Sequence, residues 1–374
     1  MSDETDSRDP RWFLQRMPSK KVLDEVLQGD PVKHLLGIAN DRAIPNPEID
    51  VVPRQDADEK AVAAALKLAV DTAKRIAALG ENIELTEDEK AALDLFILLV
   101  ARPAIFVQDG KVPERPENWP ELARDEELLP RIIAGVGRIE TASQVKTGTG
   151  FIVGDRRIVT NNHVLCALYN QELSYWQDDS AGFSRMCDDN SKLWSEKPDI
   201  APRFELHGEL GSTASTKVKV TSVLGHHLQV DLAVLELDAE PAGGRKLPLL
   251  SVEPDSFVGR HVYAVGYPVD DARDWLGKRI TPTPVFQRVF GTDDESLGTK
   301  RFSPGVVLRW EKTNVFTHDA STLPGSSGSC IVDFEHRRVV GLHFGGRYAD
   351  KNYAVPLWKF RDDPILAGNG INFD

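Results

Sequence analysis

Cysteine is scarce, with three in 374 residues. So few cannot staple a fold in the way disulfide-rich secreted domains are stapled. Cys166 and Cys187 could pair, but free thiols suit a reducing compartment better. Cys330 follows a run of small residues into an apolar stretch and reads as buried. None of the three has metal-ligand spacing, so no metal and no other cofactor is expected. Long apolar runs are missing too, and nothing is long enough to span a bilayer. The first residues, MSDETDSRDPRW, lack the basic start and apolar core of a signal peptide. The chain is therefore expected to be made and kept in the cytoplasm. Positive charge is also short: 45 Lys and Arg stand against 58 Asp and Glu, a net charge of −13. That balance disfavours nonspecific attraction to nucleic acid and to anionic membranes, and neither is expected as a partner. Repeats and low-complexity tracts are absent.

The apolar share, 41%, is ordinary for a globular chain and supplies a sizeable core. Residues 1–102 read as a helical region. Short candidates run from Ser19 to Gln28 and from Pro31 to Ala39. A stronger one covers Asp56 to Leu79, where Val62, Leu66, Ala69, Ala73, Ile76 and Leu79 recur at steps of three and four. Thr86 to Glu89 forms a capping-box pattern leading into a helix that Pro103 ends. The helical region is expected either to pack on the rest of the chain or to bind a protein partner. Residues 103–134 read as a connector, with a short strand at Ala104–Val107 and a helix from Glu121 to Ile133. From 135 to 374 the pattern changes to many short strands punctuated by Gly and Pro, which predicts an all-β barrel architecture. Ala167 to Ile200 is polar and acidic and reads as an insertion. Phe302 to Trp310, with its Pro-Gly pair, reads as a hairpin.

Three stretches carry chemistry. Ser321 to Cys330 reads STLPGSSGSC. Small residues around Ser327 permit a tight turn whose backbone N–H groups approach a ligand, as acyl transfer requires. Arg157 to Leu165 reads as a strand ending just before His163. Val230 to Leu237 reads as an apolar strand with Asp231 at its start. Each stretch alone is weak: a lone histidine is more often structural, and an aspartate at a strand start is more often a solvated cap.

In the order His, Asp, Ser, the set resembles the chymotrypsin-like serine peptidases. The resemblance covers roughly Gly135 to Leu357. It implies two six-stranded barrels, with His163 as general base, Asp231 as its orienting carboxylate and Ser327 as nucleophile. The amides of Gly325 and Ser327 would form the oxyanion hole. Ser326 stands where digestive relatives carry an aspartate that pairs with a freshly cleaved N-terminus, so activation by that route is not expected. Ser321 stands where trypsin-type enzymes carry a pocket aspartate, which counts against a basic P1 side chain. The nucleophile run, together with Gly341 to Gly346 (GLHFGG), is similar to glutamyl endopeptidases. That likeness implies an S1 pocket built from Ser321, Thr322, His343 and Gly345, with a cationic His343 and the Thr322 hydroxyl gripping a P1 glutamate. GTGFIV, TNNHV and DLAVLEL are similar to intracellular bacterial trypsin-like peptidase domains. The expected function is a serine endopeptidase acting on polypeptides. The competing expectations are small or apolar P1 specificity in a regulated effector protease, and a protease-fold binding module without turnover.

Overall fold

The computed structural model describes residues 9–42, 56–173, 187–227, 229–268, 298–347 and 351–374. They fall into two compact units. The first holds the described residues up to Ala104 together with Glu114–Pro120; the second holds Ile105–Pro113 and the described residues from Glu121 onward. The stretch read as a connector, 103–134, is thus shared between the two.

The first unit is helical. Helix α1 (Pro10–Leu14) starts before the first helix expected from the sequence; Asp9 caps it by accepting the Trp12 N–H, and Pro10 opens it. Ser19 caps α2 (Lys20–Val26), and α3 spans Pro31–Arg42. Helix α4 (Asp56–Leu79) buries Leu66, Ala69, Val70, Ala73 and Ile76 along one stripe. Both hydrogen bonds of the capping box between Thr86 and Glu89 start α5 (Glu87–Phe96). Its continuation, Ile97–Ala101, widens to a π-turn, and the Ala101 carbonyl accepts the Trp119 indole N–H at 2.8 Å.

The second unit is chiefly antiparallel sheet. Strand β1 (Ile105–Phe106) comes first. The single helix expected over Glu121–Ile133 is two, α6 (Glu121–Arg124) and α7 (Leu129–Ile133). Pro130 explains the break, because it lacks the N–H that a continuous helix needs there. Strands β2 (Val136–Glu140), β3 (Lys146–Gly154) and β4 (Arg157–Thr160) come next. Helix α8 (Asn162–Leu173) then enters the expected insertion, of which residues 174–186 lie outside the described residues. Strands β5 (Arg203–Glu205), β6 (Lys217–His227) and β7 (Leu232–Leu237) complete a closed barrel in the order β2-β3-β4-β7-β6-β5.

The second barrel comprises β8 (His261–Gly266), β9 (Arg301–Lys312), β10 (Val315–His318), β11 (Cys330–Asp333), β12 (Arg338–Arg347) and β13 (Lys351–Pro356). They run β9-β10-β13-β12-β11-β8, pairing of β8 with β9 closes the ring, and β1 adds to the outside of β9. The expected hairpin at Phe302–Trp310 is instead part of one unbroken strand. Gly305 lets β9 continue: a Cβ there would lie 2.4 Å from the Ala320 nitrogen. The chain turns later, between Lys312 and Val315. Alternation along the strands fills each barrel with its own core, Ile158, Phe204 and Leu235 in the first and Val262, Phe316 and Ile331 in the second. Buried Lys300 donates to the carbonyls of Ile133 and Leu206 and to Glu209. The fold is the expected all-β double six-stranded barrel with N-terminal helices. Among the described residues no helix is long and apolar enough to cross a membrane.

Candidate active site

His163 owes its position to the helix that begins beside it. Val164, Leu165, Leu168 and Tyr169 are buried in the core of the first barrel and pin α8 down. His163, on the opposite side of the helix, is left exposed. Its ring Nδ1 lies 2.7 Å from Asp231 Oδ2, and its backbone N–H donates to Asp231 Oδ1 at 2.9 Å. Asp231 thus holds both the ring and the main chain of the histidine. The aspartate is itself fixed: the Asn161 side-chain amide donates to its carbonyl at 2.9 Å, and β7 begins at the next residue. Its backbone φ is +50°, a left-handed conformation that aspartate tolerates better than most residues.

Ser327 lies on the turn joining β10 to β11. Within the turn, the Ser326 N–H donates to the Leu323 carbonyl and the Ser329 N–H to the Ser326 carbonyl. The Gly328 N–H donates to the His343 carbonyl. A Cβ on Gly328, whose φ is +92°, would sit 1.8 Å from the Thr149 carbonyl oxygen, so only glycine fits. Among the described residues, the N–H groups of Gly325 and Ser327 have no hydrogen-bond partner, as open oxyanion donors would. Ser326 is buried and uncharged, and its hydroxyl accepts the Leu323 N–H at 3.4 Å.

The turn lies beside the histidine helix. A Cβ on Gly148 would be 2.8 Å from the Val164 side chain and 3.2 Å from the Ser327 carbonyl. No hydrogen bond joins the Ser327 hydroxyl to His163 among the described residues. Contacts of this type are commonly long without substrate.

The surroundings of two expected S1 residues, His343 and Thr322, differ from the sequence-based picture. His343 is 2% exposed and faces His318, its Nδ1 3.2 Å from His318 Nε2. Burial, reinforced by the neighbouring imidazoles of His318 and His163, holds the His343 pKa well below its ordinary value. Burial alone pushes His318 down to about 3. His343 is therefore neutral rather than cationic at ordinary pH. The Thr322 hydroxyl donates to Asn352 Oδ1 at 2.8 Å instead of meeting His343, while Asn352 Nδ2 donates to the Ala320 carbonyl at 2.7 Å. Phe344 takes up a bulge between His343 and Gly345 in the pairing of β12 with β13. A Cβ on Gly345 would meet nothing within 4 Å. Ser321 is partly buried just before Thr322.

The tautomers of the histidine pair follow from burial. His318 Nδ1 is buried with no partner. An orphaned buried N–H is rarer than an orphaned acceptor. The proton of His318 therefore belongs on Nε2, donated to His343 Nδ1, which puts the single proton of neutral His343 on its Nε2. Sequence reasoning missed Asn161, Thr149, His318 and Asn352. Asn161 and Thr149 left a sequence signal, since they stand in the TNNHV and GTGFIV motifs, whereas His318 and Asn352 left none.

None of the three cysteines is in a disulfide: Cys187 and Cys330 are buried, Cys166 partly so, and burial raises the Cys187 and Cys330 thiols, the latter to about 12. Groupings of side chains able to hold a metal ion do not occur among the described residues.

Two closed barrels, one presenting an imidazole–carboxylate pair and the other a small-residue serine turn with open amides, define a serine endopeptidase of the chymotrypsin-like class. A family model for the trypsin-like peptidase domain matches residues 148–342, just over half of the chain, and the chain belongs to that family. No curated protein matches it. Among solved structures, the serine endoprotease from Yersinia pestis is similar over 69% of this chain and 68% of its own, at 17% identity and a TM-score of 0.41. The protease Rv3671c from M. tuberculosis H37Rv, in an inactive mutant form, is similar over 72% of this chain and 100% of its own, at 16% identity and a TM-score of 0.39.

Proposed function

We propose that the chain hydrolyses peptide bonds in cytoplasmic polypeptides through Ser327, His163 and Asp231. The observation that carries this reading is the double hold of Asp231 on His163. With Nδ1–H donated to the carboxylate, the lone pair on Nε2 is available to take the Ser327 hydroxyl proton as Oγ attacks the scissile carbonyl. The amides of Gly325 and Ser327 receive the oxyanion. His163 then passes the proton to the departing amine, and water repeats the sequence on the acyl-enzyme.

For P1 we favour glutamate. Neutral His343 offers an Nε2–H, and a carboxylate accepting it would strengthen the bond and draw a proton onto the pair. A second reading, small or apolar P1, is favoured by the neutrality of His343 and by the commitment of Thr322 to Asn352. Residues 1–102 are assigned a packing role, with partner binding as the alternative. Activation by a newly cleaved N-terminus is not expected, since uncharged Ser326 gives such an amine nothing to pair with.

The test is labelling of purified protein by a fluorophosphonate, combined with turnover of a peptide library. Labelling that survives Ser327→Ala, or no turnover of any peptide by protein that folds, would remove the assignment.

A further inference from the structure

Thr149, on β3 of the first barrel, is fully buried and reaches the nucleophile turn of the second barrel with three of its groups. Its backbone N–H donates to the Ser327 carbonyl at 2.8 Å. Its hydroxyl donates to the Gly325 carbonyl at 2.9 Å and accepts the Tyr267 N–H at 2.9 Å. Its own carbonyl accepts the Thr160 hydroxyl at 2.7 Å and fills the space that the missing side chain of Gly328 leaves open. Tyr267 comes just after β8 and is anchored in turn, its phenol donating to the Leu206 carbonyl at 2.9 Å.

The Gly325 carbonyl belongs to the peptide that lies between the two open amides. Gly325 has a φ of +93°, in a region where glycine alone moves freely. Rotation of the 325–326 peptide would turn this carbonyl towards the space that the two amides share and swing the Ser326 N–H off the Leu323 carbonyl. Inside the turn, the Ser326 N–H bond to the Leu323 carbonyl resists such a rotation, and Ser326 adds no charge to it. The only side-chain group that holds the Gly325 carbonyl, among the described residues, is the Thr149 hydroxyl.

We propose that Thr149 is a positioning residue whose hydroxyl, donated across the barrel interface to the Gly325 carbonyl, keeps the oxyanion turn in the form with both amides open. The proposal rests on Ser327 being the nucleophile. It accounts for how the turn is set without a charged internal pair, and it makes the approach of the two barrels a condition for transition-state stabilisation. A merely structural Thr149 would matter for folding and not for the balance between ground-state and transition-state binding.

The experiment compares full-length wild type with Thr149→Val, which keeps the shape and loses the hydroxyl, and Thr149→Ser, which keeps the hydroxyl. Steady-state constants on one peptide substrate, affinity for a peptide aldehyde that forms a tetrahedral adduct, and melting temperature are measured together, at a temperature where all variants are folded. The expected result for Thr149→Val is a fall in kcat of roughly 10- to 100-fold, less than or comparable to loss of a whole oxyanion donor. KM should stay within about twofold, and aldehyde affinity should fall in parallel with kcat, as for an interaction made in the transition state. Thr149→Ser should return kcat to within about threefold of wild type on the same reasoning. An unchanged kcat in Thr149→Val overturns the proposal. So does a loss that Thr149→Ser fails to restore. If Thr149→Val does not fold, Thr149→Ala replaces it under the same criteria. Ser327→Ala, assayed alongside, separates the two claims: wild-type activity lost in Ser327→Ala but retained in Thr149→Val defeats only the positioning role, whereas no Ser327-dependent activity in wild type defeats the nucleophile assignment itself.

Discussion

Asp231 grips His163 with both carboxylate oxygens, one 2.7 Å from the ring Nδ1 and the other accepting the histidine's own backbone N–H at 2.9 Å. The aspartate does so from a left-handed backbone conformation. Asparagine tolerates that conformation as well as aspartate does. Asp231→Asn therefore isolates the chemistry, and we predict a fall in kcat of about 10⁴-fold, the loss expected when an orienting carboxylate no longer fixes the tautomer. The melting temperature should change little. Asp231→Ala should add a stability loss of about 1–2 kcal/mol, because alanine fits this backbone poorly. Stopped assays on a peptide amide, with parallel thermal melts, check both; a kcat within tenfold of wild type in Asp231→Asn would contradict the assigned role.

Under the proposed P1 reading, substrate preference turns on His343. Peptides differing only in Glu, Ala, Leu or Lys at P1 should be cleaved fastest after Glu. His343→Ala should reduce kcat/KM for the Glu peptide by roughly 10- to 100-fold, the range for losing a hydrogen bond to a charged group. The Ala peptide should change by less than about threefold, since it offers that bond no partner. Equal losses on the two peptides would place His343 in the framework of the pocket and not in recognition.

The His318–His343 pair also sets a pH dependence of stability. Burial depresses both pKa values, His318 to about 3. Between the unfolded value near 6.5 and the folded one, the unfolded chain binds more protons, so stability falls as pH drops through that window. One such histidine removes about 2 kcal/mol between pH 7 and pH 5. His318→Gln keeps a donor for His343 Nδ1 and removes one titration. Urea denaturation at the two pH values should show the pH-linked loss shrink by about that amount. A loss as large as wild type's would mean that His318 is not held neutral.

Lys300 is 1% exposed and sits 3.1 Å from Glu209, whose second oxygen accepts the Gly110 N–H at 2.6 Å. Removing one partner strands the other. Lys300→Met should cost about 3–5 kcal/mol, and adding Glu209→Gln should recover much of it, because the glutamine oxygen can still accept from Gly110. Chemical denaturation of the two single variants and the double variant measures this. A Lys300→Met loss below about 1 kcal/mol would show that the pair is not energetically coupled in this way.

Much of this molecule is written locally. The apolar stripe from Leu66 to Ile76 and the Thr86–Glu89 capping box are short-range patterns, and both helices stand where those patterns put them. The His163, Asp231 and Ser327 stretches are readable for the same reason, since each sits in its own run of strand and turn residues. What escapes depends on partners distant in sequence. Pro304-Gly305 looks like a turn until Ala320 is seen against it, and only then does the missing side chain explain a continuous strand. His343 looks like a cation until the second barrel closes over it and sets His318 beside it. The contacts of Thr149 and Asn352 are not readable in sequence because their hydrogen-bond partners lie elsewhere along the chain. Pro130 is plain in the sequence, but a proline can open a helix as readily as interrupt one, and here it does both, ending any continuation from α6 and starting α7.

The hydroxyl of Thr149 and the carbonyl of Gly325 are 176 residues apart along the chain. Segments of both barrels must therefore have been made before this bond can form, which places it among the late, long-range contacts of folding.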